Sequence, residues 1–311
     1  MMNANPKNKP QLPLVSVVMP VRNAAEFVSD AIESILNQSY RYFELIVVDD
    51  ASTDGSWKHI NRAAKAHPNK MKTIRLRTQL GHGGDSAANV GIMHAKGKYI
   101  ARMDADDVAL PERLELQVRY MQSHPECAVL GSNAHVINKA GEIVGEKITV
   151  SDHEDIYREY FVLHPMIHPT VILRRSSLDE GDHLYLTHNT TNNDYLTFFK
   201  MISQGKKFAN LKQKLLYYRI HGKNDSLARV KRTFLNSLRT RYRAVRDFGY
   251  RPTPMAVVKL AAQSLIVLLL PEKLTFHIYL LTRGITRPAD YLRLLRLPVF
   301  SWAKRVLNSV R

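Results

Sequence analysis

Three carboxylates, Asp104, Asp106 and Asp107, stand within four positions in "ARMDADDVALPERL" (101–114), at the end of an apolar run. Like charges this close repel and raise one another's pKa, so the set calls for a compensating cation. In an extended segment the side-chain period is two, which points Asp104 and Asp106 the same way. Paired carboxylate oxygens suit Mg²⁺ or Mn²⁺, ions that keep some waters and take their remaining ligands from a substrate phosphate. A metal-bound diphosphate substrate would relieve the repulsion. The competing reading has the acids complement the N-terminus of a helix that starts after Pro111. One Asp is enough for that, and Asp107 keeps it as a secondary role.

Other local patterns compete for the same residues. An EF-hand loop starting at Asp104 would need Gly at its sixth position, where Ala109 stands, and Pro111 interrupts it. "DADDV" resembles the D-x-D-x-[TV] motif of haloacid-dehalogenase-type phosphatases, with Asp104 as nucleophile. Those enzymes carry it on their first strand, whereas here three βα units come first, so this stays the runner-up. "GHGGDSAANVG" (81–91) is a weak dinucleotide fingerprint, because Ser86 occupies the place of the third Gly in G-x-G-x-x-G. A helix N-terminus there could still face phosphate.

The elements that must position these residues read as alternating strands and helices. "LVSVVMP" (14–20) and "FELIVV" (43–48) are near-solid apolar runs, the mark of parallel strands covered on both faces. Helical patterns follow at 24–37, 55–67 and 85–96, with further strands at 73–76 and in "KYIARM" (98–103). This order predicts an α/β fold with a mostly parallel, doubly wound sheet. Ligands bind such sheets at the carboxyl ends of the strands. Asn23, Asp49, Asp50, "LGHGGDS" and the three acids all fall at such ends, and four distant segments thereby meet on one edge. Beyond Pro111 we expect a helix to about Ser123, a strand, and a hairpin turn at "NKAG" (138–141). Residues 152–221 mix short elements, and from about Lys231 the chain reads as helical.

Taken together, "VSVVMPVRNAAEFVSDAIESILNQSYRYFELIVVDDASTDGS" and "AANVGIMHAKGKYIARMDADDVALPERLELQ" resemble glycosyltransferase family 2, over roughly residues 14–221. The resemblance implies a GT-A fold, a Rossmann-like sheet with helices on both faces, and inverting transfer of a sugar from a nucleotide-sugar to an acceptor hydroxyl. It places Pro20, Val21, Asn23 and Asp50 around the base and ribose. Asp50 would accept a hydrogen bond from the base ring N–H, which favours a UDP-sugar. Asp104 would lie toward ribose and metal, and Asp106 would ligate Mg²⁺ or Mn²⁺, the Lewis acid for the departing diphosphate. The family's general base, usually the Asp of an "ED" pair about eleven residues before a Gly, matches Asp194 ahead of Gly205, with Asn193 in place of the Glu. Removing a neighbouring carboxylate favours the ionised form of Asp194. Its competing role is as N-cap of the following helix. His221 matches the family's "R-x-H" and is a further candidate near metal or phosphate. His164 and His168 flank the acceptor side without an assigned role.

The formal charge of +17 is unevenly spread. Residues 1–205 hold 22 Lys/Arg against 24 Asp/Glu, and residues 206–311 hold 23 against 4. The last third should therefore be drawn to polyanions such as acidic lipid headgroups or lipid-linked phosphates. "MAVVKLAAQSLIVLLL" (255–270) is shorter than the about 20 apolar residues of a spanning helix and contains Lys259. It reads as an amphipathic helix lying on an anionic membrane, or else packed on the core. We expect a tail (1–13), a catalytic unit (14–228, divided at 110/111) and a basic helical extension (229–311). The single Cys127 excludes an internal disulfide and the N-terminus lacks a signal-like apolar stretch, so a peripheral position on the cytoplasmic face is expected. A lipid-linked or saccharide acceptor would suit that position. A non-enzymatic polyanion binder is the third reading, although no nucleic-acid module is recognisable.

Overall fold

The computed structural model describes residues 12–179, 184–187, 192–221, 230–271 and 274–275. Strands β1 (Val15–Val21), β2 (Phe43–Asp49), β3 (Met71–Arg75) and β4 (Tyr99–Arg102) lie in the order β3-β2-β1-β4, each pair parallel. All seven residues of β1 are buried, which explains its unbroken apolar run. Helix α1 (Val28–Leu36) turns Val28, Ala31, Ile32 and Ile35 inward, the three-and-four spacing of one helical face. Helices α2 (Ser56–Ala66) and α3 (Asp85–Met93) complete the layers. Gly91 lets α3 lie close on the sheet, since a Cβ there would stand 2.6 Å from Val18 Cγ1. Helix α1 starts later than the apolar pattern suggests, because the Ala24 and Ala25 N–H groups bond to Ser56 Oγ and Asp54 Oδ2 across the next loop.

The sheet continues through β8 (Ile172–Arg174), antiparallel to both β4 and β6 (Cys127–Ile137). Strand β9 (Lys207–Arg219) runs parallel to β6 and pairs the short β5 (Val108–Ala109) antiparallel. The expected hairpin forms between β6 and β7 (Ile143–Lys147), with Gly141 at φ +89° in its turn. The parallel register thus holds throughout the first half, and the second half adds antiparallel strands to it. Helices α4 (Arg113–Ser123), α5 (His153–Tyr160) and α6 (Asn193–Ser203) cover this half. Cys127 is buried in β6, and burial pushes its thiol up to about 12, so it is chemically inert.

Helix α7 (Val230–Phe248) packs on α6 and is pinned by the buried Arg241, which donates to the Phe161 and Val162 carbonyls at 2.7 Å each. Helix α8 (Pro254–Leu269) starts at Thr253, whose hydroxyl accepts the Ala256 N–H, with Pro254 in the first turn. Met255, Val258, Leu265, Leu268 and Leu269 on α8 are each about 60% exposed or more (64, 62, 59, 65 and 72%). No helix among the described residues is long and apolar enough to cross a membrane. The remainder of the expected basic extension, 276–311, lies outside the described residues.

Candidate active site

Loops at the carboxyl ends of β1 and β2 are laced into one wall. Arg22 donates from Nη1 to the Asp50 carbonyl at 2.7 Å and also to the Ala51 carbonyl. Asn23, at φ +49°, accepts the Thr53 N–H on Oδ1 at 2.8 Å, and its own N–H bonds Ser52 Oγ. That carboxamide oxygen is therefore engaged in holding the two loops together. Asp50 is 2% exposed and accepts the Leu80 N–H on Oδ1 at 2.8 Å, which fixes the carboxylate on the cleft wall. Pro20 and Val21, at the end of β1, line the same cleft.

The three acids after β4 converge, but not as an extended segment would present them. Residues 104–107 form a turn, and oxygens of Asp104, Asp106 and Asp107 lie within 4.8 Å of one another. Asp104 Oδ1 receives both Nε (2.9 Å) and Nη2 (2.8 Å) of Arg102, a guanidinium only 6% exposed. Asp106 Oδ2 lies 2.9 Å from His221 Nε2, and the His221 ring stacks on Phe27. Asp107 Oδ1 accepts the Arg219 N–H at 2.8 Å, while its buried Oδ2 has no hydrogen-bond partner among the described residues. Burial, and then the neighbouring Asp106 and Asp104, push the Asp107 carboxyl well above the usual carboxylate range.

The expected capping role of Asp107 is thereby corrected. Helix α4 begins at Arg113 with Glu112 before it, and Asp107 is turned instead onto the end of β9. An oxygen-rich donor set with repelling charges, an orphaned buried oxygen and an adjacent imidazole fits Mg²⁺ or Mn²⁺. Asp104 and Asp106 face the cleft and would be the ligands.

Across the cleft, Asp194 lies in the first turn of α6 rather than before it, so it is not the N-cap; that position belongs to Asn192. Its Oδ2 is 3.3 Å from His164 Nε2 and 3.7 Å from His168 Nδ1, and its carboxylate also accepts the Tyr195 N–H. Burial raises its pKa, but the two imidazoles and the backbone N–H outweigh it and hold the carboxyl below its ordinary range. His168, tied through Nε2 to the Tyr185 hydroxyl at 2.7 Å, is pulled by burial down to about 4 and is neutral at pH 7. Asp194 is thus an ionised acceptor, 20% exposed, held in place by the two imidazoles. Asn193 is fully buried and donates from Nδ2 to the His82 carbonyl at 3.3 Å, tying α6 to the loop before α3.

This arrangement sets a pH dependence. A base works only when ionised, so wild-type activity should persist as pH falls through the ordinary carboxylate range. In His164→Ala/His168→Ala burial still raises the Asp194 pKa but the imidazoles no longer oppose it, so the acid limb of kcat/KM should move to higher pH. A pH–rate profile of both proteins checks this.

Asp50, Asp104, Asp106 and Asp194 all line one cleft of about 1820 Å³, as do His164, His168 and His221. A single small-molecule site typically occupies about 300–1,000 Å³, so this cleft has room for a second substrate. Val162, Leu163, Phe234, Ile266 and Val267 also line it, the last three from α7 and α8. Sequence reasoning gave no role to His164 and His168, although two His-Pro pairs four residues apart in "HPMIHP" were a signal. It also passed over Arg102, an Arg at the end of a buried strand beside three acids.

The sequence profile described as glycosyl transferase family 2 matches residues 16–181. The UDP-Glc:alpha-D-GlcNAc-diphosphoundecaprenol beta-1,3-glucosyltransferase WfaP of Escherichia coli is 28% identical, over 70% of this chain and 82% of its own. Among solved structures, S. aureus TarS 1-349 in complex with UDP superposes with a TM-score of 0.57 at 21% identity, covering 74% of this chain and 65% of that 1-349 chain. The mannosyltransferase PcManGT of Pyrobaculum calidifontis, in complex with GDP-Man and Mn2+, gives 0.57 at 18% identity over 88% of this chain and 86% of its own.

Proposed function

The chain belongs to glycosyltransferase family 2, and on that premise we propose a metal-dependent, inverting enzyme that moves a sugar from a UDP-sugar to a hydroxyl of a lipid-linked saccharide. The observation that carries this reading is that Asp104, Asp106 and an ionised Asp194 line one cleft. We assign residues 14–228 to the catalytic unit and 229–311 to a membrane-facing extension. Family membership leaves the phosphatase and polyanion-binder readings without support.

In the proposed reaction Asp194 takes the proton of the acceptor hydroxyl, and the freed oxygen pair forms the new bond at the anomeric carbon. The bond from that carbon to the diphosphate oxygen breaks on the opposite side, and its electron pair leaves with the nucleoside diphosphate. Asp104 and Asp106 would hold a divalent cation, which would supply Lewis-acid stabilisation of that departing charge. Arg102 holds Asp104 in orientation, and the His164 and His168 imidazoles hold Asp194. Asp50 accepts the ring N–H of the base, its Oδ1 being already fixed by Leu80. Preference for uracil draws support from the UDP-Glc in the name of WfaP. Product analysis tests the inversion: the transferred sugar should carry the anomeric configuration opposite to that in the donor, and retention would refute single displacement.

For the acceptor, the supports are the apolar side chains that α7 and α8 add to the cleft lining and the diphosphoundecaprenol in the name of WfaP. The exposed apolar side chains of α8, with exposed Arg232, Arg239 and Arg246 on α7, suit an anionic bilayer surface. The protein should cosediment with phosphatidylglycerol vesicles at low salt and less with phosphatidylcholine vesicles. Leu265→Asp/Leu269→Asp should weaken that binding about 10-fold, since it buries charge in place of apolar surface. Equal binding to both vesicle types would remove the electrostatic part of the reading.

A further inference from the structure

The cleft holds one more carboxyl, used neither at the metal end nor as the base. Asp85 opens α3, is 5% exposed and lines the cleft. Its carboxyl bonds the Asn193 side chain, and its buried Oδ1 has no hydrogen-bond partner among the described residues. A favourable position at a helix N-terminus does not account for that orphaned oxygen, because a buried acceptor left unpaired is costly. Nor does it cap: the residue before α3 is Gly84 and no side-chain cap bond is made there.

The surroundings of Asp85 indicate what belongs beside it. Burial raises its pKa most, followed by the field of Asp194, with the Asp104 field adding to the rise and Arg102 opposing it. The carboxyl is thus within electrostatic reach of both the base and the metal end. Asn193, its partner, also holds the His82 carbonyl, so the 82–85 loop and the base-bearing helix are fixed as one wall. In the reaction proposed above, the atoms lying between the diphosphate end and the base are those of the transferred sugar.

We propose that Asp85 recognises a hydroxyl of the transferred sugar and so helps to set donor-sugar specificity. The inference rests on the nucleotide-sugar reading. A hydroxyl donated to Oδ1 would satisfy the orphaned oxygen, and a carboxyl selects among sugars by the hydroxyl that each presents to it. A deoxy sugar, or an epimer that turns that hydroxyl away, leaves the oxygen unpaired and is disfavoured. Bare nucleoside diphosphate has no sugar hydroxyl to offer it.

Calorimetric titration with Mn²⁺ tests this on the full chain, using UDP, UDP-Glc, UDP-Gal, UDP-GlcNAc, GDP and GDP-Man as probes. For the nucleotide-sugar that wild type prefers, Asp85→Ala should weaken binding about 10- to 100-fold and flatten the preference among sugars. Affinity for the matching bare nucleotide should stay within about twofold, since it makes no contact with Asp85. Asp85→Asn keeps the shape and the Asn193 contact, and should show a smaller loss with the same sign; it decides the matter if the Ala variant does not fold. Equal loss for nucleotide and nucleotide-sugar, or an unchanged sugar preference, overturns the proposal while leaving the nucleotide-sugar reading in place. A folded wild type that binds none of the nucleotide-sugars overturns both.

Discussion

Asp194→Asn should lower kcat by roughly 10²–10⁴-fold, the usual worth of a positioned general base, while leaving nucleotide-sugar affinity nearly unchanged. The substitution keeps size and hydrogen-bonding capacity in the first turn of α6, so His164 and His168 retain a polar neighbour. What it removes is the proton acceptor. Loss confined to kcat is the signature of an interaction made in the transition state alone. If KM for the donor rose in step with the fall in kcat, Asp194 would be a donor-binding residue and the base would have to be sought elsewhere. Steady-state kinetics with a fixed acceptor, together with equilibrium donor binding, separates the two.

Asp106→Ala should have an effect of comparable size at the other end of the cleft. It removes one of the carboxylates from the set that fits a divalent cation, and we expect Mn²⁺-dependent donor binding to weaken at least about 100-fold. Removal of metal with a chelator should reproduce the loss in wild type and add nothing in the variant. The thermal midpoint of the metal-free protein should not drop. Asp106 raises the pKa of its buried neighbour Asp107, so its deletion relieves a repulsion that the metal-free fold carries. A metal-free variant that melts well below wild type would indicate that Asp106 is structural, acting through its contact with His221; the Arg219 Nε bond to the residue-106 carbonyl is kept in the variant.

The legible part of the chain is the part where periodicity and burial agree. Strands β1 and β2 are covered on both faces, so their sequences are continuous apolar runs that place Asp50 at a strand end without ambiguity. The same logic located the acids after β4 and the hairpin at Gly141. The geometry of the acids was not legible. The Asp107 N–H bonds the Asp104 carbonyl and closes 104–107 into a turn, and the Arg219 N–H holds Asp107 inward, so the two-residue alternation fails there. The second half was harder because β8 has three residues and β5 two, too short to show a period. Contacts such as His168 with Asp194, or Asp85 with Asn193, join segments far apart in the chain, and local pattern carries no trace of them. Arg102 was hidden for a related reason, since its charge is cancelled by an Asp two residues on in a buried strand end.

The central claim is that one cleft binds a nucleotide-sugar through a divalent cation held by Asp104 and Asp106. The most direct measurement is a calorimetric titration of the purified chain with UDP-sugars, once in Mn²⁺ and once in excess EDTA. Saturable binding with Mn²⁺ that EDTA abolishes is the expected result. Binding of equal strength in EDTA, or no binding of any nucleotide-sugar by the folded protein, would contradict it.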